Sequence, residues 1–165
     1  MRPICLDLSA FGPFAGSETL EFGRLGENPL FLINGPTGAG KTSILDAICY
    51  ALYGETTGNE RDAAQMRCHH ALPEMLTEIT LLFELGGTRY RIRRVPDQDR
   101  PKKSGEGTTR QHTEAQLHRI ATDGSEELLV ARKVTDATQR VIELTGLSAE
   151  QFRQVMVLPQ GKFRE

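Results

Sequence analysis

Gly35-Pro36-Thr37-Gly38-Ala39-Gly40-Lys41-Thr42 conforms to G-x-x-x-x-G-K-[ST], the loop with which nucleotide hydrolases hold phosphate. The flanks agree with it. Leu30-Phe31-Leu32-Ile33, just ahead, is a short apolar run that reads as a buried strand. Ser43-Ile44-Leu45-Asp46-Ala47-Ile48-Cys49-Tyr50-Ala51-Leu52-Tyr53, just behind, repeats apolar residues at helical spacing, and Gly54 is placed to end that helix. Strand, glycine loop and helix in this order give the pattern its structural meaning. Glycines let successive N–H groups converge on phosphate oxygens, and the helix N-terminus adds partial positive charge. Lys41 is expected to reach the outer phosphates, and the Thr42 hydroxyl to coordinate Mg2+. The ligand implied is a nucleoside triphosphate.

The chain of 165 residues is long enough for one ordinary domain with a real core. With 38% hydrophobic and 25% charged residues it has the composition of a soluble globular protein, and no apolar stretch approaches the length of a membrane span. Met1-Arg2-Pro3 runs straight into a strand-like segment, with no signal peptide. Cys5, Cys49 and Cys68, odd in number and widely spaced, suit reduced thiols in the cytoplasm rather than a disulfide framework. The net charge of −2 hides an asymmetry: from Arg89 to Arg119 nine Lys/Arg face four acids, so this stretch carries +5 and the remainder −7. Such a basic region suits either a solvated hairpin or a polyanion partner.

Residues 2–10 read as a first strand ending in the turn Phe11-Gly12-Pro13-Phe14, and Thr19-Leu20-Glu21-Phe22 as a second. After the phosphate loop and its helix, residues 56–62 read as loop and 63–71 as a short helical turn. Ile79-Thr80-Leu81-Leu82-Phe83-Glu84-Leu85 and Arg89-Tyr90-Arg91-Ile92-Arg93 flank Gly86-Gly87-Thr88, a hairpin whose alternation puts the three arginines on one face and Tyr90 and Ile92 on the other. Residues 96–111, rich in Pro, Lys, Gly, Ser and Thr, read as a mobile loop. A strand pair follows around Asp123-Gly124, then a helix over 131–145 with Val134, Ala137, Val141 and Leu144 on one stripe and Gly146 as its cap. Ser148-Ala149-Glu150-Gln151 is a capping box for a further short helix, and Val155-Met156-Val157-Leu158 reads as a last strand.

A phosphate-loop hydrolase also needs a carboxylate at the end of a second apolar strand. Leu81-Leu82-Phe83-Glu84 ends in an acid that enters a hairpin, and Ile4-Cys5-Leu6-Asp7 carries its acid before the strand has ended. Both are better read as ordinary strand positions. Leu144-Thr145-Gly146-Leu147-Ser148 lacks the paired glycines of a transporter-type signature loop and reads as a helix end. The chain therefore holds the binding half of an ATP machine. Cys68-His69-His70 supports no zinc site, because adjacent ligands rarely converge on one ion and no partner pair occurs elsewhere.

Leu6-Asp7-Leu8-Ser9-Ala10-Phe11-Gly12-Pro13-Phe14, the phosphate loop, and Gln151-Phe152-Arg153-Gln154-Val155-Met156-Val157-Leu158-Pro159-Gln160-Gly161 together resemble the N-terminal ATPase segment of the SbcC family of SMC-like DNA-repair ATPases. The resemblance covers nearly the whole chain and is weakest over 96–124. It implies an α/β fold: a P-loop NTPase lobe, the N-terminal half of an ABC-type head, with a mixed sheet and an antiparallel portion, spanning 1–165. A coiled coil and a C-terminal lobe with the signature motif and acidic strand would follow it. The implied nucleotide site is Gly35, Pro36, Thr37, Gly38, Ala39, Gly40, Lys41 and Thr42 with the adjacent Ser43. The implied catalytic residues are Lys41 and Gln160, the latter approaching Mg2+ and the attacking water, with Gln154 a weaker rival.

The implied cofactors are ATP and Mg2+. The implied partners are the C-terminal lobe, a second head in a homodimer, an SbcD-type nuclease and double-stranded DNA ends, with no membrane association and a bacterial cytoplasmic, nucleoid-associated location. Arg89, Arg91, Arg93, Lys102 and Lys103 are the candidate DNA contacts. Three positions depart from the family pattern: Gly12-Pro13 replaces a basic side chain, Cys68 replaces a serine, and Lys162 replaces a glutamate. A RecF- or SMC-type head is the alternative within the class. A P-loop kinase or GTPase would need a substrate lid or an N-K-x-D motif, and neither is visible.

Overall fold

Alternating burial organises the molecule. In the computed structural model, which describes residues 1–26, 32–58, 63–102 and 104–156, Ile79, Leu81 and Phe83 of β3 (Glu78–Leu85) are buried together with Tyr90 and Ile92 of β4 (Thr88–Val95). The two strands join at Gly86 and Gly87, whose φ of 57° and 77° lie where only glycine is unstrained, the requirement of a tight hairpin turn. β1 (Arg2–Phe11) pairs with β3 on one side and β2 (Phe14–Glu21) on the other, while β7 (Glu114–Ile120) and β8 (Glu126–Val130) extend the far edge. The order is β2-β1-β3-β4-β7-β8, and every described pairing is antiparallel.

One face of this sheet carries the helices. α1 (Lys41–Tyr53) buries Ala47, Tyr50, Ala51 and Leu52 against a core that includes Leu6, Leu8, Phe83 and Leu117. α2 (Val134–Thr145) contributes Ala137 and Val141, two of the four residues on its expected stripe. α3 (Ala149–Met156) docks through Phe152, whose ring lies 5.3 Å from that of Tyr53. The α/β class is as expected, and the described residues form the antiparallel portion of the expected sheet. Gly54 and Gly146 end α1 and α2 in the left-handed conformation. The capping box is present: Ser148 N–H donates to Gln151 Oε1 at 2.9 Å, and Gln151 N–H to Ser148 Oγ at 3.3 Å.

Several expectations are corrected. Leu32 and Ile33 form no strand, and Leu32 is 88% exposed, while Leu30 and Phe31 lie outside the described residues. A strand needs neighbours for its N–H and C=O groups, and the six-stranded sheet supplies none here. The segment expected to be a mobile loop instead forms a second, two-stranded sheet, β5 (Gln98–Pro101) with β6 (Thr108–Gln111). Lys102 N–H donating to Gly107 O and an Arg110–Asp97 ion pair close this hairpin, which composition alone could not foresee. Val155 and Met156 continue α3 rather than starting a strand, because the capping box has already set helical geometry; residues 157–158 lie outside the described set. The helical turn expected over 63–71 shrinks to a 3-10 turn, Ala63–Met66, because Arg67 pairs with Phe11 in an isolated bridge. β2 starts at Phe14, ahead of Thr19, and Phe22 already belongs to a 3-10 turn.

All three cysteines are unpaired, in keeping with the reduced-thiol reading. Burial, with help from Asp46 and against Arg153, pushes the Cys49 thiol up to about 12, so it stays protonated and unreactive at neutral pH.

Candidate nucleotide-binding site

The glycine loop turns where its glycines allow. Gly38 and Gly40 stand at φ 86° and 88°, and Ala39 N–H donates to Pro36 O at 3.2 Å. Gly40 is the N-cap of α1, with no side-chain cap and no acid in the first turn. The first-turn N–H groups and the positive end of the helix dipole are thus available to an anion. Lys41 Nζ donates to Gly35 O and Pro36 O, both at 2.8 Å, so the ammonium is folded onto the loop it belongs to. Thr42 is exposed and Ser43 is buried. Asp46, the acid of α1, is engaged by Thr57 through N–H (3.0 Å) and hydroxyl, leaving a donor set of N–H groups and an ammonium that suits phosphate.

The β1–β2 turn covers this loop. A Cβ at Gly40 would come within 2.8 Å of Pro13 Cγ and 2.9 Å of Phe14 Cζ, and one at Gly12 within 3.1 Å of Ser43 Oγ. Gly12-Pro13, which departs from the basic residue of the family pattern, therefore does a packing job here. Cys68, the second departure, is buried and donates its N–H to Ala10 O at 2.9 Å, just before the same turn.

The far end of α1 is closed by a residue the sequence reading overlooked. Four carbonyls end the helix without intrahelical partners. Gly54 N–H donates to Tyr50 O (2.8 Å), Arg94 Nε to Ala51 O (2.7 Å), Arg94 Nη2 to Leu52 O (2.8 Å), and Thr138 Oγ1 to Tyr53 O (3.4 Å). Arg94 also donates to Thr138 Oγ1 at 2.9 Å, is 1% exposed, and has no carboxylate partner among the described residues; its Nη1 is unpaired. Burial pulls its pKa down to about 10, with Tyr50 acting in the opposite direction. The signal was present: the alternation that buries Tyr90 and Ile92 also sends Arg94 to the apolar face.

The candidate DNA-contacting cations divide. Arg93 forks onto Glu78 (2.5 Å) and reaches Glu114 at 2.9 Å, and Arg91 pairs with Glu126. Burial opposes ionisation of Glu114, but the bonds from Arg93 and Arg132 outweigh it and hold the carboxyl below its usual range. Arg89 and Lys102 have no ion pair among the described residues, and Lys103 lies outside them. Gln160 and Lys162 also lie outside, whereas Gln154 is an exposed residue of α3. Asp7 accepts from Thr19 Oγ1 at 2.6 Å and Glu84 pairs with Arg2, as ordinary strand positions would. No cluster of three or more potential metal ligands occurs among the described residues, and no helix there is long and apolar enough to cross a membrane.

Residues 5–165 match the family model described as AAA domain. The chain is 62% identical over 165 residues to the SbcC component of nuclease SbcCD from Vibrio cholerae serotype O1, covering 100% of this chain and 16% of that protein. It is 42% identical over 164 residues to the protein of that name from Lactococcus lactis subsp. lactis, and 38% identical over 164 to that of Staphylococcus aureus, covering 99% of this chain and 16% of each relative. The chain thus spans 16% of the length of the curated relatives it matches. With a P-loop of this geometry on an α/β scaffold, the chain belongs to the AAA domain family of P-loop ATPases and is homologous to a segment of the SbcC component of the SbcCD nuclease.

Proposed function

We propose that this chain is the N-terminal ATP-binding lobe, residues 1–165, of an SbcC-like ATPase that controls the processing of DNA double-strand ends by an SbcD-type nuclease. The observation that carries the reading is the uncapped N-terminus of α1 behind a positive-φ glycine loop, with an ammonium already at its rim. ATP is held by Gly35, Pro36, Thr37, Gly38, Ala39, Gly40, Lys41, Thr42 and Ser43. Bound Mg2+ would neutralise phosphate charge, with Thr42 and Gln160 as its protein contacts. Exposed Leu32, in a flank that belongs to no strand of the described sheet, supports cover of this flank by another segment, the C-terminal lobe. ATP then favours engagement of two such heads in a homodimer, and the nuclease chemistry belongs to the partner. A bacterial cytoplasmic, nucleoid-associated site of action follows from that role.

Mixing the chain with the C-terminal segment of its parent protein tests this. Mg2+-dependent ATP hydrolysis should appear in the mixture and be absent from either part. Full turnover by the chain alone would mean that it carries its own catalytic carboxylate, and the split-head reading would fail. For DNA, the contacts fall to Arg89 and Lys102, the candidates without an ion pair among the described residues. Arg89→Gln and Lys102→Gln in the assembled protein should each lower the slope of log affinity against log salt by about 1, and Arg93→Gln should leave it nearly unchanged. Equal slopes in all three variants would remove this hairpin from the DNA interface.

A further inference from the structure

The turn that covers the phosphate loop is itself held from behind, by residues outside the loop. Ala10 is the non-glycine residue with positive φ among those described, at 46°, a conformation that persists only where its surroundings over-determine it. Its carbonyl accepts from Cys68 N–H at 2.9 Å and from Thr77 Oγ1 at 3.0 Å. Gly12 N–H donates to Met66 O at 2.7 Å, and Phe11 bridges Arg67. The segments that supply these bonds meet at one side chain. The Arg67 guanidinium donates to Met75 O (2.5 Å), Leu72 O (2.9 Å), Thr77 Oγ1 (3.4 Å) and Gln98 Oε1 (3.4 Å), and no acid pairs with it among the described residues. Gln98 in turn grips Thr77 by both its N–H (2.7 Å) and its carbonyl (2.8 Å).

We propose that Arg67 is a positioning residue for nucleotide binding, which acts by seating the β1–β2 turn on Gly40 and Ser43. The inference rests on the phosphate-loop reading above. A planar fork that gathers several acceptors fixes their relative placement in a way a point charge on a flexible stem does not. Released from Arg67, the 72–77 segment loosens its hold on Ala10. Pro13 and Phe14 then leave the loop free to sample shapes in which its N–H groups diverge. Binding selects the converged shape, so the cost falls on affinity and not on the chemical step.

The test is ATP affinity and turnover of the full-length protein carrying Arg67→Met, Pro13→Gly, or both. Arg67→Met should raise KM and Kd for Mg·ATP about tenfold, with kcat held within about twofold. Arg67→Lys should recover part of the affinity. In the Pro13→Gly background, where the turn is already released, Arg67→Met should add less than about twofold, the non-additivity expected of residues acting through one path. If Arg67→Met does not fold, Thr77→Val, which removes a hydroxyl that holds Ala10, decides by the same criteria. An unchanged KM in the folded variant, or effects that multiply in full, would overturn the inference. Wild-type protein that binds no ATP would instead overturn the phosphate-loop reading.

Discussion

Lys41→Ala is expected to lower ATP hydrolysis by the assembled head on the order of 10²–10³-fold, with little change in the unfolding midpoint. The asymmetry follows from what Lys41 touches. Among the described residues its ammonium bonds the carbonyls of Gly35 and Pro36, in a half-exposed loop where water can replace it, so removal costs the fold under about 1 kcal/mol. On the proposed reading, the same ammonium would turn to the outer phosphates when nucleotide is present, where charge accumulates as the bond breaks. Thermal scans and single-turnover hydrolysis, run on the same preparations, separate the two effects. A variant that keeps more than about a third of wild-type turnover would remove Lys41 from the chemistry.

Arg94→Met is expected to do the reverse, costing about 2–3 kcal/mol of folding stability, or roughly 8 °C in unfolding midpoint for a chain of this size. Two effects compete. Methionine nearly fills the space and relieves the burial of a cation that, among the described residues, has no carboxylate partner and one unpaired nitrogen. Against that, it strips the donors from Ala51 O and Leu52 O, at residues with no exposure to water that could replace them. Two buried carbonyls left without partners outweigh the relief. Removing a cation from the helix C-terminus also costs its interaction with the dipole. Urea unfolding followed by circular dichroism measures the difference. A variant at least as stable as wild type would show that the burial of the charge dominates. Arg94→Lys should fall between the two, since an ammonium keeps the charge but not the fork onto two carbonyls.

Local chemistry was legible in the sequence wherever a residue's role depends on its chain neighbours. The glycine loop, the end of α1 at Gly54, the Gly86-Gly87 turn, the cap at Gly146 and the Ser148–Gln151 box all follow from short-range backbone geometry, and the structure bears out each of them. Readings that needed a distant partner fared differently. Leu32 and Ile33 have the composition of a buried strand, but strand and burial are properties of a neighbouring segment as much as of the residues themselves. The 96–111 stretch has the composition of a loop, yet cross-strand pairs such as Arg110–Asp99 close it into a hairpin. A tally of basic residues gave Arg91 and Arg93 the same standing as Arg89; only the sheet register, which sets Glu78 and Glu114 beside Arg93, neutralises them. That a phosphate loop opens a helix on an α/β scaffold can be read from the chain without its fold, because that motif is contiguous. Folding is what sets Pro13 and Phe14 over the loop, gathers Leu72, Met75, Thr77 and Gln98 on Arg67, and closes the far end of α1 with Arg94. Those arrangements depend on partners distant in the chain, such as Arg67 with Gln98 and Arg94 with Ala51, and no local rule couples them.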